Sequence, residues 1–475
     1  MSQVEQVKCC IENAVKVIRM YDWLLDLYVL DYFVDNHWSK LPESWQQNFI
    51  DMDPQHLGQI LNGQPTNHIF PLSFLALIKS VNAFNIPRRN NTEITDIQAS
   101  SFKSIQIIKT SKKNKTMTTP TEIEDIGNDL TTKNDTCGNN PKLKNLFLKH
   151  VNLKKRHEIS LMAELVHEVA SKSDCDTVID FGSGLGHLVR MLAYKYDLNV
   201  AGIEGQSQLI EGARKLDKEL EYTASIYLTD EAMAQLRRPN HFNSTLSCHS
   251  QLATVGLSNF MSNCGLIGLH PCGDLGPSLI KYFVRYPQAK FVCVVGCCYM
   301  KLTCGPNSGY PLSDFVMKLD SHLSYPSREI ACHAIEVYCD RLRKGNYEDL
   351  KVHAYRAALE RILINHNPEL KHAQVRSIKH SDKMTFERYC SLALERLNIP
   401  LPTSTEIWLR AEEDLQQWRQ IVIVYTLRLT LAPLVETVIL LDRMLYLIEN
   451  GASCEIKPVF DPTISPRNHV IIARR

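Results

Sequence analysis

Hydrophobic and polar positions alternate with a helical period through the first 87 residues. In the stretch YDWLLDLYVLDYFVDNHW, Asp22 and Asp26 are four positions apart, and so are Asp31 and Asp35. This spacing sets each acidic pair on one side of a helix and leaves a broad aromatic and aliphatic face. The pattern predicts a helical N-terminal region over residues 1–87, with its apolar face packed into a core.

Residues 88–142 break this pattern. They are rich in Asn, Thr, Ser and Lys, as in the stretch SKKNKTMTTPTEIEDIGNDLTTKNDTCGNN. Such a composition offers too little apolar surface to offset the entropy that a chain loses when it becomes ordered. We therefore expect a polar, flexible linker between the helical region and the rest of the chain.

Short apolar runs alternate with helical patterns in residues 143–475. The runs are TVIDFG, NVAGIEG, GLIGLHP and FVCVVGCC, and a helical pattern precedes the first of them. Strands that alternate with helices in this way are typical of a parallel sheet with helices packed on it. The C-terminal two thirds of the chain is therefore predicted to be an α/β domain.

Composition and charge exclude several classes of protein. A formal net charge of +1 gives no global field that would attract nucleic acid, so any RNA must be bound by a local patch. The 15 cysteines include no C-x-x-C pair, and the N-terminus has no signal-peptide pattern, so we expect a cytoplasmic or nuclear protein. The longest apolar stretch, residues 421–448, contains four charged residues and a proline, which favours a buried helix over a membrane span.

One turn carries the strongest chemical signal. The run VIDFGSGLGHL reads as a buried strand that ends near Asp180, then Gly182, Gly184 and Gly186, and then a helix. Glycines let the backbone turn tightly at the carboxyl edge of a parallel sheet, where such sheets bind ligands. The G-x-G-x-G spacing differs from the G-x-G-x-x-G fingerprint that holds a dinucleotide pyrophosphate, which argues against an NAD-dependent oxidoreductase.

An acid before the first glycine suits a ligand whose charged end is an ammonium and carboxylate pair, as in S-adenosylmethionine. Glu204 ends the next predicted strand, about 20 residues after the loop, where an acid commonly accepts hydrogen bonds from ribose hydroxyls. The turn and Glu204 together predict an S-adenosylmethionine site made by Asp180, the three glycines and Glu204.

These residues lie in a longer set of motifs that resembles the methyltransferase-like 25 family, whose members include a ribosomal RNA adenine dimethylase domain-containing protein. The similar segments are KKRHEI, DFGSGLGHL, IEG, GLHPCGDL, VGCCYMKL, YRAALE, LAPLVETVILLDRMLYL and SPRN. The resemblance implies a class I S-adenosylmethionine-dependent methyltransferase fold, which is Rossmann-like. It also implies that CEIKPVF and HVIIARR form a final antiparallel strand pair preceded by a helix over residues 430–450. Residues 303–417 would then be a helical insertion, whose length suits a carrier of specificity.

The edge after the fourth strand departs from enzymes that methylate an exocyclic adenine nitrogen. Those enzymes place an [N/D]-P-P-[Y/F] motif here, with an aromatic ring that stacks on the flipped base. This chain has HPCGDL instead, which supplies no aromatic residue. His270 and Asp274 are candidates for a base that removes a proton from the acceptor, although Asp274 could instead cap the following helix.

Cysteines near this edge allow two further readings. Cys272 could act as a covalent thiolate nucleophile of the kind that pyrimidine C5 methyltransferases use, but alternation along a strand would turn His270 to the other face. Cys293, Cys297, Cys298 and Cys304 could suggest a metal, but alternation sets Cys293 and Cys297 on one strand face, where thiols usually pack. We therefore expect no metal.

Two further polar features bear on the ligands. The residue expected to meet the adenine amine after the third strand is His249 or Ser250, in the stretch STLSCHSQL. Positive charge is concentrated in Lys154, Lys155, Arg156 and His157, at the start of the helix that leads to the first strand. Cations are disfavoured there by the helix dipole, so this segment is either a solvated turn or a site for a cofactor carboxylate or an RNA phosphate.

The sequence thus predicts an S-adenosylmethionine-dependent methyltransferase, with RNA as the first choice of acceptor and a protein side chain as the second. The RNA choice rests on the basic segment and on a similar pattern in a group of transfer RNA 2'-O-methyltransferases. A non-catalytic binding protein that keeps the cofactor fold as a scaffold is the alternative from another class. An open, polar cleft beside HPCGDL would favour an enzyme, whereas a cleft filled by the insertion or by the N-terminal helices would favour a scaffold.

Overall fold

A seven-stranded sheet organises the C-terminal part of the chain. The computed structural model describes residues 2–64, 67–89, 143, 147, 151–244, 260, 263–345, 347–378, 384–397 and 399–475. The strands are β1 (Thr177–Phe181), β2 (Asn199–Glu204), β3 (Asn240–Asn243), β4 (Cys264–Gly268), β5 (Ala289–Val295), β6 (Ser453–Pro458) and β7 (His469–Arg474). Their order in the sheet is β3-β2-β1-β4-β5-β7-β6.

Strands β1 to β5 run parallel, and β7 pairs antiparallel with both β5 and β6. All five residues of β1 and all five of β4 are buried, as expected for central strands covered on both faces. The strand order reverses beside β1, so β1 and β4 point their carboxyl ends at the crevice where open α/β sheets bind ligands. The predicted α/β fold and the final antiparallel strand pair are confirmed.

Helices cover both faces of this sheet. Within the sheet region they are Leu153–Lys172, His187–Tyr196, Ser207–Tyr227, Asp230–Gln235 and Leu275–Arg285. The Leu153–Lys172 helix begins at Asn152, whose side-chain oxygen accepts a hydrogen bond from the backbone amide of Lys155. This helix therefore has a defined start, and its basic first turn stands at a definite place in the fold.

The remaining helices lie before the sheet and between β5 and β6. The N-terminal helices are Gln3–Met20, Asp22–Leu25, Glu43–Phe49, Pro54–Leu61 and Leu72–Phe84. Those between β5 and β6 are Asp314–Met317, Tyr325–Ile330, Ile335–Arg343, Glu348–His366, Phe386–Leu394, Thr405–Gln416, Trp418–Leu429 and Ala432–Glu449. Short 3₁₀ turns occur at Val29–Asp31, His37–Lys40, Tyr299–Lys301 and Pro368–Leu370. The predicted helix over residues 430–450 corresponds to Ala432–Glu449.

The long apolar stretch forms the centre of the helical part. Trp418–Glu449 is long and apolar enough to span a membrane, but 94% of its most apolar window is buried inside the protein. Its Glu436 is buried, accepts a hydrogen bond from the Tyr299 hydroxyl at 2.9 Å and pairs with Arg88. Arg88 also pairs with Glu336 at 2.7 Å. This buried charge network joins Arg88, the first residue of the predicted linker, to the helices that follow β5. Residues 90–142 of that linker lie outside the described residues.

Candidate methyl-donor and acceptor sites

The glycine turn lies between β1 and the His187–Tyr196 helix. Gly182, Gly184 and Gly186 all have positive φ angles, of 75°, 57° and 69°. A side chain is strained in this left-handed region, so glycine meets the backbone requirement of the turn. At Gly186 a Cβ atom would also approach His241 Cε1 to 2.6 Å, whereas at Gly184 it would meet nothing within 4 Å. Gly184 therefore faces open space at the carboxyl edge of β1.

Glu204 closes the side of this turn. It is the last residue of β2, and its Oε2 accepts a hydrogen bond from the Gly184 amide at 2.9 Å. Its Oε1 accepts from the Gln206 amide at 3.1 Å. The structure thus brings the sequence-predicted loop and Glu204 together, and each carboxylate oxygen keeps a second lone pair for a ligand hydroxyl.

Asp180 lies beneath the turn, within β1. Its side chain is buried, and this burial, together with the nearby Glu204 charge, raises the pKa of Asp180 to about 7. A carboxyl group with such a pKa exchanges its proton near neutral pH and ionises more readily when a cation approaches.

A buried network that the sequence analysis missed holds the turn from behind. Arg190 Nε donates to Asp217 Oδ1 at 2.7 Å, and His241 Nε2 lies 2.7 Å from Asp217 Oδ2. Arg190 also donates to the backbone carbonyl of Leu185 in the turn at 3.2 Å. The sequence contained one signal of this network, which is Arg190 among the apolar residues of a short helix. A buried arginine needs charged or polar partners, so its position on an apolar face indicates such partners nearby.

On the other side of the crevice, Asp274 connects two turns. Its Oδ1 accepts from the Thr303 amide at 2.9 Å, and its Oδ2 accepts from the Thr303 hydroxyl at 2.6 Å. It precedes the Leu275–Arg285 helix in the N-cap position but makes no side-chain capping bond there. Both carboxylate oxygens therefore hold the start of the segment that follows β5. The sequence had suggested a catalytic base or a helix cap for Asp274, and neither hypothesis included this contact.

His270 faces the basic helix. Its Nε2 lies 3.1 Å from Glu158 Oε2, and Glu158 Oε1 accepts from the Ser465 hydroxyl at 2.6 Å. Glu158 is buried, and although burial alone would raise its pKa, the hydrogen bonds with His270 and Ser465 lower it overall. A buried carboxylate thus orients the imidazole at the end of β4.

Three cysteines converge beside His270. Cys272 Sγ lies 3.6 Å from Cys297 Sγ and 3.2 Å from Cys298 Sγ, and Cys297 Sγ lies 3.6 Å from Cys298 Sγ. Hydrogen bonds from Cys297 lower the pKa of Cys272 to about 5, aided by Cys298, Lys301 and His270 against the opposing effect of burial. A thiolate at Cys272 is therefore stabilised by its neighbouring thiols and by nearby positive charge.

This convergence differs from the expectation drawn from strand alternation. β4 ends at Gly268 and β5 ends at Val295, so alternation does not extend to His270, Cys272 or Cys297. Cys293 is fully buried within β5, and Cys297 is also buried although it lies beyond the end of that strand. Both thiols are therefore packed as expected, but Cys297 in addition contacts the sulfurs of Cys272 and Cys298 and lies 4.0 Å from His270 Nδ1.

The basic segment lies at the same edge. Lys154, Lys155 and Arg156 are exposed in the first turn of the Leu153–Lys172 helix. Lys154 Nζ lies 3.7 Å from Glu158 Oε1, and Arg156 Nε donates to the carbonyl of Val151 at 2.7 Å. His157 Nε2 accepts from the amide of Asp461 at 2.9 Å, so its ring is used within the fold. Among the described residues, no hydrogen bond or ion pair engages the ammonium group of Lys155.

Comparisons with known proteins agree with this geometry. A protein family described as "Methyltransferase domain" matches residues 154–305, which contain the glycine turn, Glu204 and the cysteine cluster. The chain therefore carries a methyltransferase domain. It is 24% identical to the mouse "Probable methyltransferase-like protein 25" over 454 residues, covering 69% of this chain and 75% of that protein. It is 23% identical to the human protein of the same name, covering 72% of this chain and 77% of that protein.

The methyltransferase-like 25 proteins are thus relatives of this chain, as the sequence motifs indicated. Among solved structures, the methyltransferase domain of bacterial CtHen1-CN is 19% identical, covers 28% of this chain and 64% of its own, and aligns with a TM-score of 0.21. A methyltransferase domain uses a methyl donor, and the open turn at Gly184 offers a place for one.

Gly182 of the glycine turn and Cys272 of the turn after β4 are both exposed, and Thr303, which follows β5, contacts Asp274. Tyr299, the aromatic residue that follows the cysteine pair, is fully buried and donates its hydroxyl to Glu436, so it is not a stacking platform for a base. His249 and Ser250 lie outside the described residues.

Proposed function

We propose that this protein transfers a methyl group from S-adenosylmethionine to RNA. The observation that carries the cofactor assignment is the open, glycine-lined turn with the Glu204 carboxylate hydrogen-bonded across it. Support for RNA comes from the exposed cations at the same edge of the sheet. The acceptor is a separate inference from the donor, and each has its own test.

The residues of the turn fit the parts of this cofactor. Gly184 leaves room for a ligand to approach the backbone closely, since nothing lies within 4 Å of where its Cβ would be. Glu204 has lone pairs for the ribose hydroxyls, and Asp180 gains charge as a cationic group nears. When bound, the cofactor supplies an electrophilic methyl group on a sulfonium. The protein's part is to position the acceptor in line with that methyl group and to exclude water.

The basic first turn supports an RNA acceptor. Lys155 and Arg156 are exposed at a helix N-terminus, where the helix dipole disfavours cations. Glu158 of the same helix contacts His270 at the end of β4, so the cations stand beside the crevice. Cations retained at an unfavourable helix end beside an open crevice suit phosphate groups.

A double substitution, Lys155→Gln with Arg156→Gln, tests this assignment. The expected result is weaker binding of single-stranded RNA and a log–log salt slope reduced by up to about 1.4, at about 0.7 for each lost phosphate contact. Fluorescence anisotropy over a salt series measures both. Lys318→Gln with Arg396→Gln is the matched control, since it removes one exposed lysine and one exposed arginine outside residues 154–305.

The control should leave RNA binding unchanged, and cofactor affinity should stay the same in both double variants. A fall in cofactor affinity alone would assign the cations to the cofactor carboxylate. Unchanged RNA and cofactor binding would make the segment structural. Either result would contradict the proposed RNA contact.

The acceptor class is tested by labelling. A lysate of cells that lack the endogenous protein is incubated with the purified chain and tritiated S-adenosylmethionine, with and without ribonuclease. We expect label in high-molecular-weight material that ribonuclease releases. Ribonuclease-resistant label in protein would replace RNA by a protein acceptor, and absence of label despite cofactor binding would favour a non-catalytic scaffold.

A further inference from the structure

The strongest unexplained feature is the cluster of Cys272, Cys297 and Cys298 beside His270. All three cysteines are free, and they come from two turns that are far apart in sequence. Their sulfurs form a triangle with sides of 3.6, 3.6 and 3.2 Å. Three thiols with an imidazole at one corner are the ligand types that bind Zn²⁺ in tetrahedral sites.

We propose that Cys272, Cys297 and Cys298 bind one zinc ion, with His270 Nδ1 as the fourth ligand. Zinc–sulfur bonds of about 2.3 Å in a tetrahedron put the sulfurs about 3.8 Å apart. The observed separations are about 0.2 to 0.6 Å shorter than that edge, so the three thiolates need only small outward shifts. The sulfurs are not bonded to one another, because a disulfide requires about 2.05 Å.

The histidine is backed by a carboxylate, as zinc-binding histidines commonly are. When His270 Nε2 carries the proton, it donates to Glu158 Oε2 at 3.1 Å and leaves the Nδ1 lone pair free. Nδ1 lies 4.0 Å from Cys297 Sγ, but only the three sulfurs all lie within 4.8 Å of one another, so the imidazole must move toward the other two sulfurs to complete the shell. A buried carboxylate behind a histidine ligand raises its basicity and holds its ring, and Glu158 is itself held by Ser465 at 2.6 Å.

The two turns that supply the sulfurs are built to stay together. A Cβ at Gly273 would lie 3.0 Å from the Lys301 carbonyl oxygen, so the turns are in direct backbone contact. Cys298 adopts a positive φ of 45°, which is uncommon for a cysteine. A Cβ at Gly296 would lie 2.3 Å from the Tyr299 hydroxyl, which is anchored on Glu436. The cluster is therefore preorganised and does not depend on chance contact between surface thiols.

Four protein ligands complete a tetrahedral shell, so the ion would be structural and would pin the turns after β4 and β5 to each other. It would also connect them, through His270 and Glu158, to the helix that carries the basic segment. The acceptor side of the crevice would then be held by the metal. This inference does not rest on the proposed function, because metal binding is measured without cofactor or acceptor.

The test is the metal content of the full chain, purified without a metal-affinity tag under reducing conditions. We expect one equivalent of zinc per chain by plasma mass spectrometry. Replacement by Co²⁺ should give thiolate-to-cobalt charge-transfer absorption and the strong visible bands of a tetrahedral site. Cys297→Ser and Cys298→Ser should each lose most of the bound metal, whereas Cys304→Ser, an exposed cysteine near the same edge, should retain it.

Circular dichroism checks that each variant is folded. A second variant, His270→Gln, keeps all three thiols. His270→Gln should weaken zinc affinity and change the cobalt visible spectrum while leaving the thiolate charge-transfer bands. Glu158→Gln should weaken zinc binding about 10- to 100-fold, the range for loss of a carboxylate behind a metal ligand. Lack of Zn²⁺ and Co²⁺ binding by the folded, reduced chain would overturn the proposal. So would iron in place of zinc, metal retained in both serine variants, or the loss of two titratable thiols to a Cys272–Cys298 disulfide without metal.

Discussion

Glu204→Ala is the most direct test of the methyl-donor site. In the structure the Glu204 carboxylate accepts from two backbone amides, those of Gly184 and Gln206, at 2.9 and 3.1 Å. Alanine removes both acceptors and also the groups that would bind the ribose hydroxyls. The turn then loses the side-chain hydrogen bond that links Gly184 to the end of β2.

The magnitude follows from the kind of hydrogen bond lost. Bonds to a charged acceptor contribute about 1.5 to 3 kcal/mol each when buried, and Glu204 is only partly buried, so water replaces part of this in the variant. A net loss of about 1 to 3 kcal/mol of cofactor binding energy is expected, and 1.4 kcal/mol corresponds to a factor of ten. S-adenosylmethionine should therefore bind roughly 10- to 100-fold more weakly.

Isothermal titration calorimetry measures this affinity directly. Glu204→Gln should fall between wild type and Glu204→Ala, because its amide oxygen can still accept from one of the two backbone amides. Glu211→Ala removes an exposed carboxylate from the next helix and serves as the charge-matched control. Equal affinity of wild type and a folded Glu204→Ala variant would refute the assignment of Glu204.

Two further predictions concern proton binding and the product. Burial raises the native pKa of Asp180 to about 7, whereas an unfolded Asp has a pKa of about 3.9. Between these two pH values the native state holds a proton that the unfolded state has released. The native state therefore loses stability as the pH rises through this window, by up to about 4 kcal/mol. The thermal midpoint of Asp180→Asn should therefore rise relative to wild type from pH 5 to pH 8, and a constant difference would show that Asp180 ionises normally. The purified protein should not form dimethyladenosine on RNA, since the residues after β4 supply no aromatic platform and stacking contributes about 1 to 3 kcal/mol per base. Mass spectrometric detection of that product, absent with Gly184→Trp, would contradict this reasoning.

The fold was predictable because its signals are local. The apolar run that ends at Asp180 is buried at every position, as its lack of polar alternation indicated. The glycines of the turn carry positive φ angles that the chain needs at that place, so residue type and backbone agree. The register of Glu204 against the turn also followed from sequence, since adjacent parallel strands end at one edge.

The cysteine cluster was not predictable for the opposite reason. Its geometry depends on where β4 and β5 stop, and element ends are the least certain part of a sequence-based prediction. β4 ends two residues before His270, and β5 ends two residues before Cys297. The alternation of strand faces, on which the prediction relied, therefore does not apply to either residue. The Arg190–Asp217–His241 network escaped notice because its members come from three separate elements and share no spacing motif.

The crevice has the glycine turn on its proposed donor side and the turns after β4 and β5 on its proposed acceptor side. On the donor side, Gly184 and the free lone pairs of Glu204 remain available to a ligand. On the acceptor side, both oxygens of Asp274 are engaged by Thr303, and His270 is engaged by Glu158. Each Asp274 oxygen accepts one hydrogen bond, as each Glu204 oxygen does, so Asp274 also keeps lone pairs while it ties the turn after β4 to Thr303. Under the proposed function, the exposed basic turn is the part of this edge expected to contact the acceptor, and the double substitution at Lys155 and Arg156 tests that expectation.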